Sequence, residues 1–279
     1  MAHQRVRLRG TQATMLGTLL GRAVDARRAR PLLADRAALA AVERIDPADL
    51  EWAGVDEDLA LSVAARALLL DRWAGAFLDR HADAVVLHLG CGLDTRYQRL
   101  APGAGVDWYE VDHPEVVALR QELLPPAGEH QHTVAADVTS RGWLDAVPAG
   151  RPTLVVAEGL TMYLRPETGG ALLGRLVDRF GAGAGAGGEM VFDVYSTLGV
   201  RLQGANPVVR RSGARLGWGV DDPRSLEALG LSLLEQLDAG QMLTPDLRDQ
   251  MSPRLRLRLR TALAVPAFRR MGRLLRYAF

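Results

Sequence analysis

The run Val85-Val86-Leu87-His88-Leu89-Gly90-Cys91-Gly92-Leu93-Asp94-Thr95-Arg96 constrains this chain more than any other stretch. It reads as a buried strand, a glycine turn and the opening of a helix. In a doubly wound α/β sheet, that junction is where a nucleotide-like ligand is held. The surrounding pattern agrees. Strands are expected at 84–89, 106–111, 132–136, Thr153–Glu158 and Glu189–Val194, with helices near 57–80, 94–100, 114–124 and 166–180. Such alternation predicts a mostly parallel sheet with helices on both faces.

The residues after the glycines bear on which ligand. A dinucleotide fingerprint needs a third glycine and a helix start free to receive a pyrophosphate. Here Thr95 takes the glycine's place, and Asp94 puts an acid where it would repel phosphate. A nucleoside without phosphate, such as S-adenosylmethionine, meets no such penalty. Asp112 lies twenty positions after Gly92, at the end of the second strand. That is the spacing at which a carboxylate meets ribose hydroxyls. A G-x-G alone is a weak signal, and the alternative is an ordinary strand–helix turn with a surface acid.

Composition excludes some classes. Net charge is only +1, which argues against nucleic acid as a partner. All 34 basic residues are arginine, and no acid follows Asp249. The arginine tail from Arg254 to Arg276 suggests RNA or a membrane surface only weakly. It reads better as an amphipathic helix packed on the sheet, ending before Pro266, with a last edge strand at Leu274–Phe279. Cys91 is the only cysteine. It sits inside the turn, where a small side chain suits, and nothing points to an oxidising compartment. No apolar stretch reaches membrane-spanning length, so a cytoplasmic protein is expected.

Residues 1–56 read as an Arg-rich helical cap broken at Pro31 and Pro47, before a core spanning 57–279. Gly181–Gly188 is a low-complexity, flexible connection. The irregular segment 195–222 reads as an acceptor lid. It carries Tyr195, Arg201, Asn206, Arg210, Arg211, Arg215 and Trp218, which suit an anionic, aromatic acceptor or equally a solvated loop with one packing Trp.

Seven segments together resemble one family. They are AARALLLDRW (64–73), HLGCGLDTR (88–96), WYEVDHPEV (108–116), AADVTS (135–140), AEGLTMYL (157–164), GARLGWGVDD (213–222) and RLLRYAF (273–279). The chain is similar to the leucine carboxyl methyltransferase family, in its bacterial branch of small-molecule, polyketide-type O-methyltransferases. The resemblance implies a Rossmann-like, seven-stranded S-adenosylmethionine-dependent methyltransferase sheet. Its helical cap would come from the N-terminus and an insertion after the fifth strand.

The resemblance also implies site roles. Arg66 would pair with the cofactor's carboxylate, and Arg22 would assist it. Gly90 would meet the methionine part through its backbone. Asp112 would hold the ribose, and Asp137 with Val138 the adenine. Glu158 would lie between the cofactor's amino group and the acceptor. Asp137 also reads as a helix N-cap with Thr139, and Arg66 as a residue on a solvated helix face. Asp94 reads as a helix N-cap, Arg96 as a partner for a nearby acid, and His88 as a satisfied core histidine. His88 stands where the family has Asn, and Ala67 where it has Thr.

The expected reaction is transfer of a methyl group to a carboxyl or phenolic oxygen of a small natural product. Glu158 and Tyr163 are the polar residues best placed for the acceptor. Two alternatives stay open: methylation of a protein C-terminal carboxylate, and a non-methylating or purely binding role on the same fold.

Overall fold

The computed structural model describes residues 5, 6, 10–183 and 185–279. Three helices precede the first strand: α1 (Thr11–Ala26), α2 (Arg36–Val42) and α3 (Glu57–Leu78). The alternating part follows as β1 (Val85–Leu89), α4 (Arg96–Leu100), β2 (Asp107–Asp112), α5 (Pro114–Leu123), β3 (Gln131–Ala135), β4 (Thr153–Ala157), α6 (Pro166–Phe180) and β5 (Gly188–Tyr195). Then come α7 (Thr197–Arg201), α8 (Pro207–Ser212), β6 (Ser232–Asp238), four short helices α9 (Ala239–Met242), α10 (Pro245–Gln250), α11 (Pro253–Leu263) and α12 (Pro266–Arg269), and β7 (Gly272–Ala278).

The seven strands form one sheet in the order β3-β2-β1-β4-β5-β7-β6. The first five pair in parallel, and β7 runs antiparallel to both neighbours. The C-terminal strand is therefore interior, not the expected edge; β6 is the edge. Tyr277 and Leu275 are fully buried, as an interior position requires.

Alternation along β1 sorts its side chains to two cores. Val85, Leu87 and Leu89 join Met190, Phe192 and the α6 residues Leu172, Leu176 and Phe180 on one face. Val86 faces the α3 residues Leu70, Trp73, Ala74 and Phe77 with Trp108, Leu154 and Val191 on the other. Full burial of side chains such as Phe77 stabilises the helix–sheet contact by roughly 1.5–3 kcal/mol each. The N-terminal helices add a third cluster, in which Leu16, Leu19, Ala38 and Ile45 meet Val116, Leu119 and Leu123 of α5.

The Arg-rich tail departs from expectation. Helix α11 forms, but it does not pack on the sheet. Its Leu255 and Leu259 lie against Leu61 and Ala65 of α3 and against Leu247 and Met251. This part of the β6–β7 connection thus packs on α3 and not on the sheet. The connection from Gly181 to the start of β5 is turn and bend, with Ala184 outside the described residues.

Among the described residues, no helix is long and apolar enough to cross a membrane.

Candidate active site at the strand ends

The parallel sheet reverses its winding between β1 and β4, and a cavity of about 580 Å³ opens beyond the carboxyl ends of these strands. Arg22, Arg66, Gly90, Asp112, Asp137, Val138, Glu158 and Tyr163 all line it. A second, shallower cleft of about 510 Å³ lies among α1, α2 and residues 47–55, away from the strand ends.

The glycine turn forms the floor. Gly90 and Gly92 have φ of +59° and +49°, a region that disfavours any side chain. Space is tight as well: a Cβ on Gly90 would lie 3.0 Å from Leu160 Cδ1, and one on Gly92 3.1 Å from Met15 Cβ, so each neighbour would have to give way. Asp112 clamps the turn from β2. Its Oδ2 accepts the Gly92 N–H at 2.7 Å and its Oδ1 accepts the His113 N–H at 2.8 Å. Burial pushes the Asp112 carboxyl above its ordinary pKa, and the two N–H donors only partly offset this. Each oxygen keeps a lone pair for a further donor. Asp137 accepts from both the N–H and the hydroxyl of Thr139, beside the buried Val138, but it closes a turn and caps no helix, since the next helical turn starts at Gly142.

Behind this floor lies a buried ionic network. Arg96, fully buried at the start of α4, reaches Asp71 at 2.5 Å, Asp94 at 3.0 Å and Glu158 at 2.6 Å. Arg99 reaches Asp35, Asp71 and Asp94. Arg22 pairs with Asp35 at 3.2 Å and donates to the Leu93 carbonyl at 2.9 Å. Arg66, projected from α3, donates to Glu158 and to Asp193, each at 3.0 Å. Only a quarter of the Arg66 side chain is exposed. Burial opposes its charge, but the two carboxylates outweigh burial and raise its pKa.

Two expectations change here. Asp94 does not cap a helix, since α4 begins after Thr95 and Asp94 turns into the network. Burial opposes its charge, yet Arg96, Arg99 and Arg22 hold its carboxyl well below the usual range. Its charge is therefore neutralised from behind rather than held out against a ligand. Arg96 does pair with nearby acids, and with three of them. His88 is in the core, but it is not satisfied: Nε2 lies 3.4 Å from Asp94, while Nδ1 has no hydrogen-bond partner.

The 195–222 segment contributes Tyr195, Asn206, Val208, Val209 and Leu216 to the cavity, and none of its arginines. Arg201, Arg210, Arg211 and Arg215 are exposed. Arg211 instead donates to the carbonyl oxygens of Ala53 and Gly54. Trp218 is the packing residue, seated on Gly169 of α6 within the core. An anionic acceptor held by lid arginines is thus not what the geometry offers.

Sequence reasoning passed over two groups of cavity residues. Asp193 lies two residues before the end of β5, with its Oδ1 on the Gly159 N–H and its Oδ2 on Arg66. Burial raises its pKa, partly offset by Arg66. The strand-end rule that singled out Glu158 applies to it equally. The second group is Met242, Leu243, Leu247, Met251 and Leu259 of the β6–β7 connection. Its signal was the three helix starts Thr244-Pro245, Ser252-Pro253 and Val265-Pro266, each placing proline at the first helical position.

The donor set fits a nucleoside carrying a cationic amino-acid tail. Its carboxylates can take hydroxyl or ammonium donors, and one guanidinium, that of Arg66, keeps a quarter of its side chain exposed and can take a carboxylate. A pyrophosphate would meet these carboxylates, and each guanidinium of the network is already engaged.

Comparison with known proteins agrees. The family model for leucine carboxyl methyltransferase matches residues 15–177. The chain is 39% identical over 274 residues to the tetracenomycin polyketide synthesis O-methyltransferase TcmP of Streptomyces glaucescens, covering 98% of each. It is 35% identical to the S-adenosyl-L-methionine-dependent methyltransferase dpfgK of Gibberella zeae, covering 80% of each. A solved Thermobifida fusca structure shares the fold with a TM-score of 0.58 at 16% identity, over 92% of this chain and 93% of that one.

Proposed function

The chain belongs to the leucine carboxyl methyltransferase family and is an S-adenosylmethionine-dependent methyltransferase, and from that premise we propose that it methylates a carboxyl or phenolic oxygen on a small natural product with an apolar, aromatic body. The observation that carries this reading is the acceptor side of the cavity. Leu59, Val208, Leu216, Met242, Leu243 and Leu259 supply an apolar wall, with Tyr163, Tyr195 and Asn206 as its polar groups. The named relative from Streptomyces glaucescens acts in polyketide synthesis, and such compounds match that wall.

The bound cofactor supplies a methyl group on a sulfonium, already activated for direct displacement. The protein's part is orientation and exclusion of water. Arg66 offers its open edge to the cofactor's carboxylate, Asp112 to the ribose, and Asp137 with Val138 to the adenine. Gly90 allows close approach of the backbone. Arg22 holds Asp35 and the Leu93 carbonyl, so it supports the turn rather than reaching out.

No side chain on the acceptor side is tuned as a strong base. Burial opposes ionisation of Glu158, yet Arg66 and Arg96 hold its carboxyl below the ordinary range. Burial raises the pKa values of Tyr163 and Tyr195, so both hydroxyls stay protonated, and the Tyr195 hydroxyl accepts from the Asn206 amide at 3.4 Å. Both oxygens of Asp193 are taken. An acceptor that ionises unaided, a carboxylic acid or an acidic phenol, suits such a site.

The cap in this reading comprises residues 1–56 and 195–222 together with the β6–β7 connection. A cytoplasmic setting belongs to the same proposal, supported by the reduced, buried Cys91.

The test is incubation with methyl-labelled S-adenosylmethionine and paired aromatic acids and phenols. Label in a base-labile ester marks a carboxyl acceptor, and label in a base-stable ether marks a phenol. Cofactor binding without label in any acceptor of this class overturns the proposal.

A further inference from the structure

The buried network behind the cavity is unbalanced. Through contacts of 2.5–3.2 Å it joins four guanidinium groups, Arg22, Arg66, Arg96 and Arg99, to five carboxylates, Asp35, Asp71, Asp94, Glu158 and Asp193. His88, Tyr163 and Tyr195 are further titratable groups against it. The His88 Nε2 faces Asp94, and its Nδ1 has no hydrogen-bond partner among the described residues. The network therefore carries a formal charge of −1. The surplus sits at the cavity end. There Arg66 is shared between Glu158 and Asp193, whereas Glu158 also has Arg96, and among the described residues Asp193 pairs with Arg66 alone.

S-adenosylmethionine carries a sulfonium, an ammonium and a carboxylate, for a net charge of +1. S-adenosylhomocysteine, the product, lacks the sulfonium and is neutral overall. We propose that Asp193 sets the protein's discrimination between the two. Its carboxylate, which shares the Arg66 guanidinium with Glu158, is balanced by the positive charge of the methylated cofactor and loses that counter-charge once the methyl group has left. The proposal rests on the cofactor reading above and adds a role for a residue that the family motifs do not reach. The raised pKa of Asp193, caused by burial, fits a carboxylate short of positive partners.

The experiment is calorimetric titration of three ligands into the intact protein. They are S-adenosylmethionine, S-adenosylhomocysteine, and the analogue bearing an amine in place of the sulfonium methyl, which keeps the +1 charge. Asp193→Asn removes the charge and retains an oxygen for the Gly159 N–H. It is expected to weaken both cationic ligands relative to S-adenosylhomocysteine by about tenfold or more, the scale of two unit charges several ångströms apart at an effective dielectric of about 20. Asp193→Glu is expected to restore much of the ratio. An affinity ratio unchanged within about twofold in Asp193→Asn overturns the proposal and leaves the cofactor site intact. Failure of the wild-type protein to bind any of the three overturns the cofactor reading itself. If Asp193→Asn does not fold, the wild type still decides: binding the amine analogue no more tightly than S-adenosylhomocysteine overturns the proposal.

Discussion

The Arg66 guanidinium lies 3.0 Å from the Asp193 carboxylate, so one side chain of α3 is fastened to β5 near its end. The same guanidinium reaches Glu158 at the end of β4. Arg66→Ala removes the only guanidinium partner that Asp193 has among the described residues, and the expected anchor for the cofactor's carboxylate. Loss of a paired partner from a fully buried site costs about 3–5 kcal/mol. The Arg66 side chain is a quarter exposed, so a cost of about 1–2 kcal/mol is expected. Cofactor affinity should fall by roughly thirtyfold, the scale of a lost charge-assisted hydrogen bond. Arg66→Lys should fall between, because an ammonium keeps the charge without the forked geometry. Calorimetry with urea unfolding checks both; wild-type affinity in Arg66→Ala removes this residue from the site.

Asp112 separates two roles in one side chain. Asp112→Ala leaves the buried Gly92 N–H without its acceptor, at a cost of about 1–3 kcal/mol, as well as losing the ribose contact. Asp112→Asn keeps one carbonyl oxygen and a similar shape. It should fold with near wild-type stability yet bind the cofactor about tenfold more weakly. Equal loss of stability in both variants would show that Asp112 serves the turn alone.

How much of this was legible in the residues depended on distance along the chain. Gly90, Asp112 and Glu158 stand at strand ends, and a strand end is a local pattern that fixes a place in the fold. Asp94 looked local as well, an acid one residue before a helix. Its fate was decided by Arg99, five residues on, and by Arg96 folding back from the start of the helix. The place of β7 was likewise invisible, since a C-terminal apolar strand pairs equally well at an edge or in a gap; the gap beside β5 is set by tertiary pairing. The leucines of α11 announced a helix, but not that its partner was α3.

Acid sensitivity follows from the network. Asp94 and Glu158 both have folded-state pKa values below their ordinary 3.8 and 4.5. Groups of this kind contribute stability that is present above the unfolded pKa and lost as pH falls through the folded one. Unfolding temperature should therefore hold steady down to about pH 5 and fall with increasing slope below about pH 4. Arg96 is the hub, and Arg96→Met should lower stability by about 3–5 kcal/mol at pH 7, because three carboxylates lose a partner. It should also flatten the acid limb. Thermal melts from pH 2 to pH 7 on both proteins test this, and parallel acid limbs would contradict it.

The β6–β7 connection should govern the acceptor and not the cofactor. Leu259 lines the cavity from α11 while its neighbour Leu257 points to solvent at 59% exposure. Truncating Leu259 removes part of the apolar wall; burial of a leucine side chain contributes roughly 1.5–3 kcal/mol when complete. Leu259 is only half-buried, so about 1 kcal/mol of acceptor binding, or a several-fold rise in acceptor KM, is expected from Leu259→Ala. Leu257→Ala should leave KM unchanged. Cofactor affinity should stay at the wild-type value in both, since Arg66, Asp112 and Asp137 are carried by other elements. A Leu259→Ala protein whose cofactor affinity falls while acceptor KM holds would reverse the assignment of the two ends of the cavity.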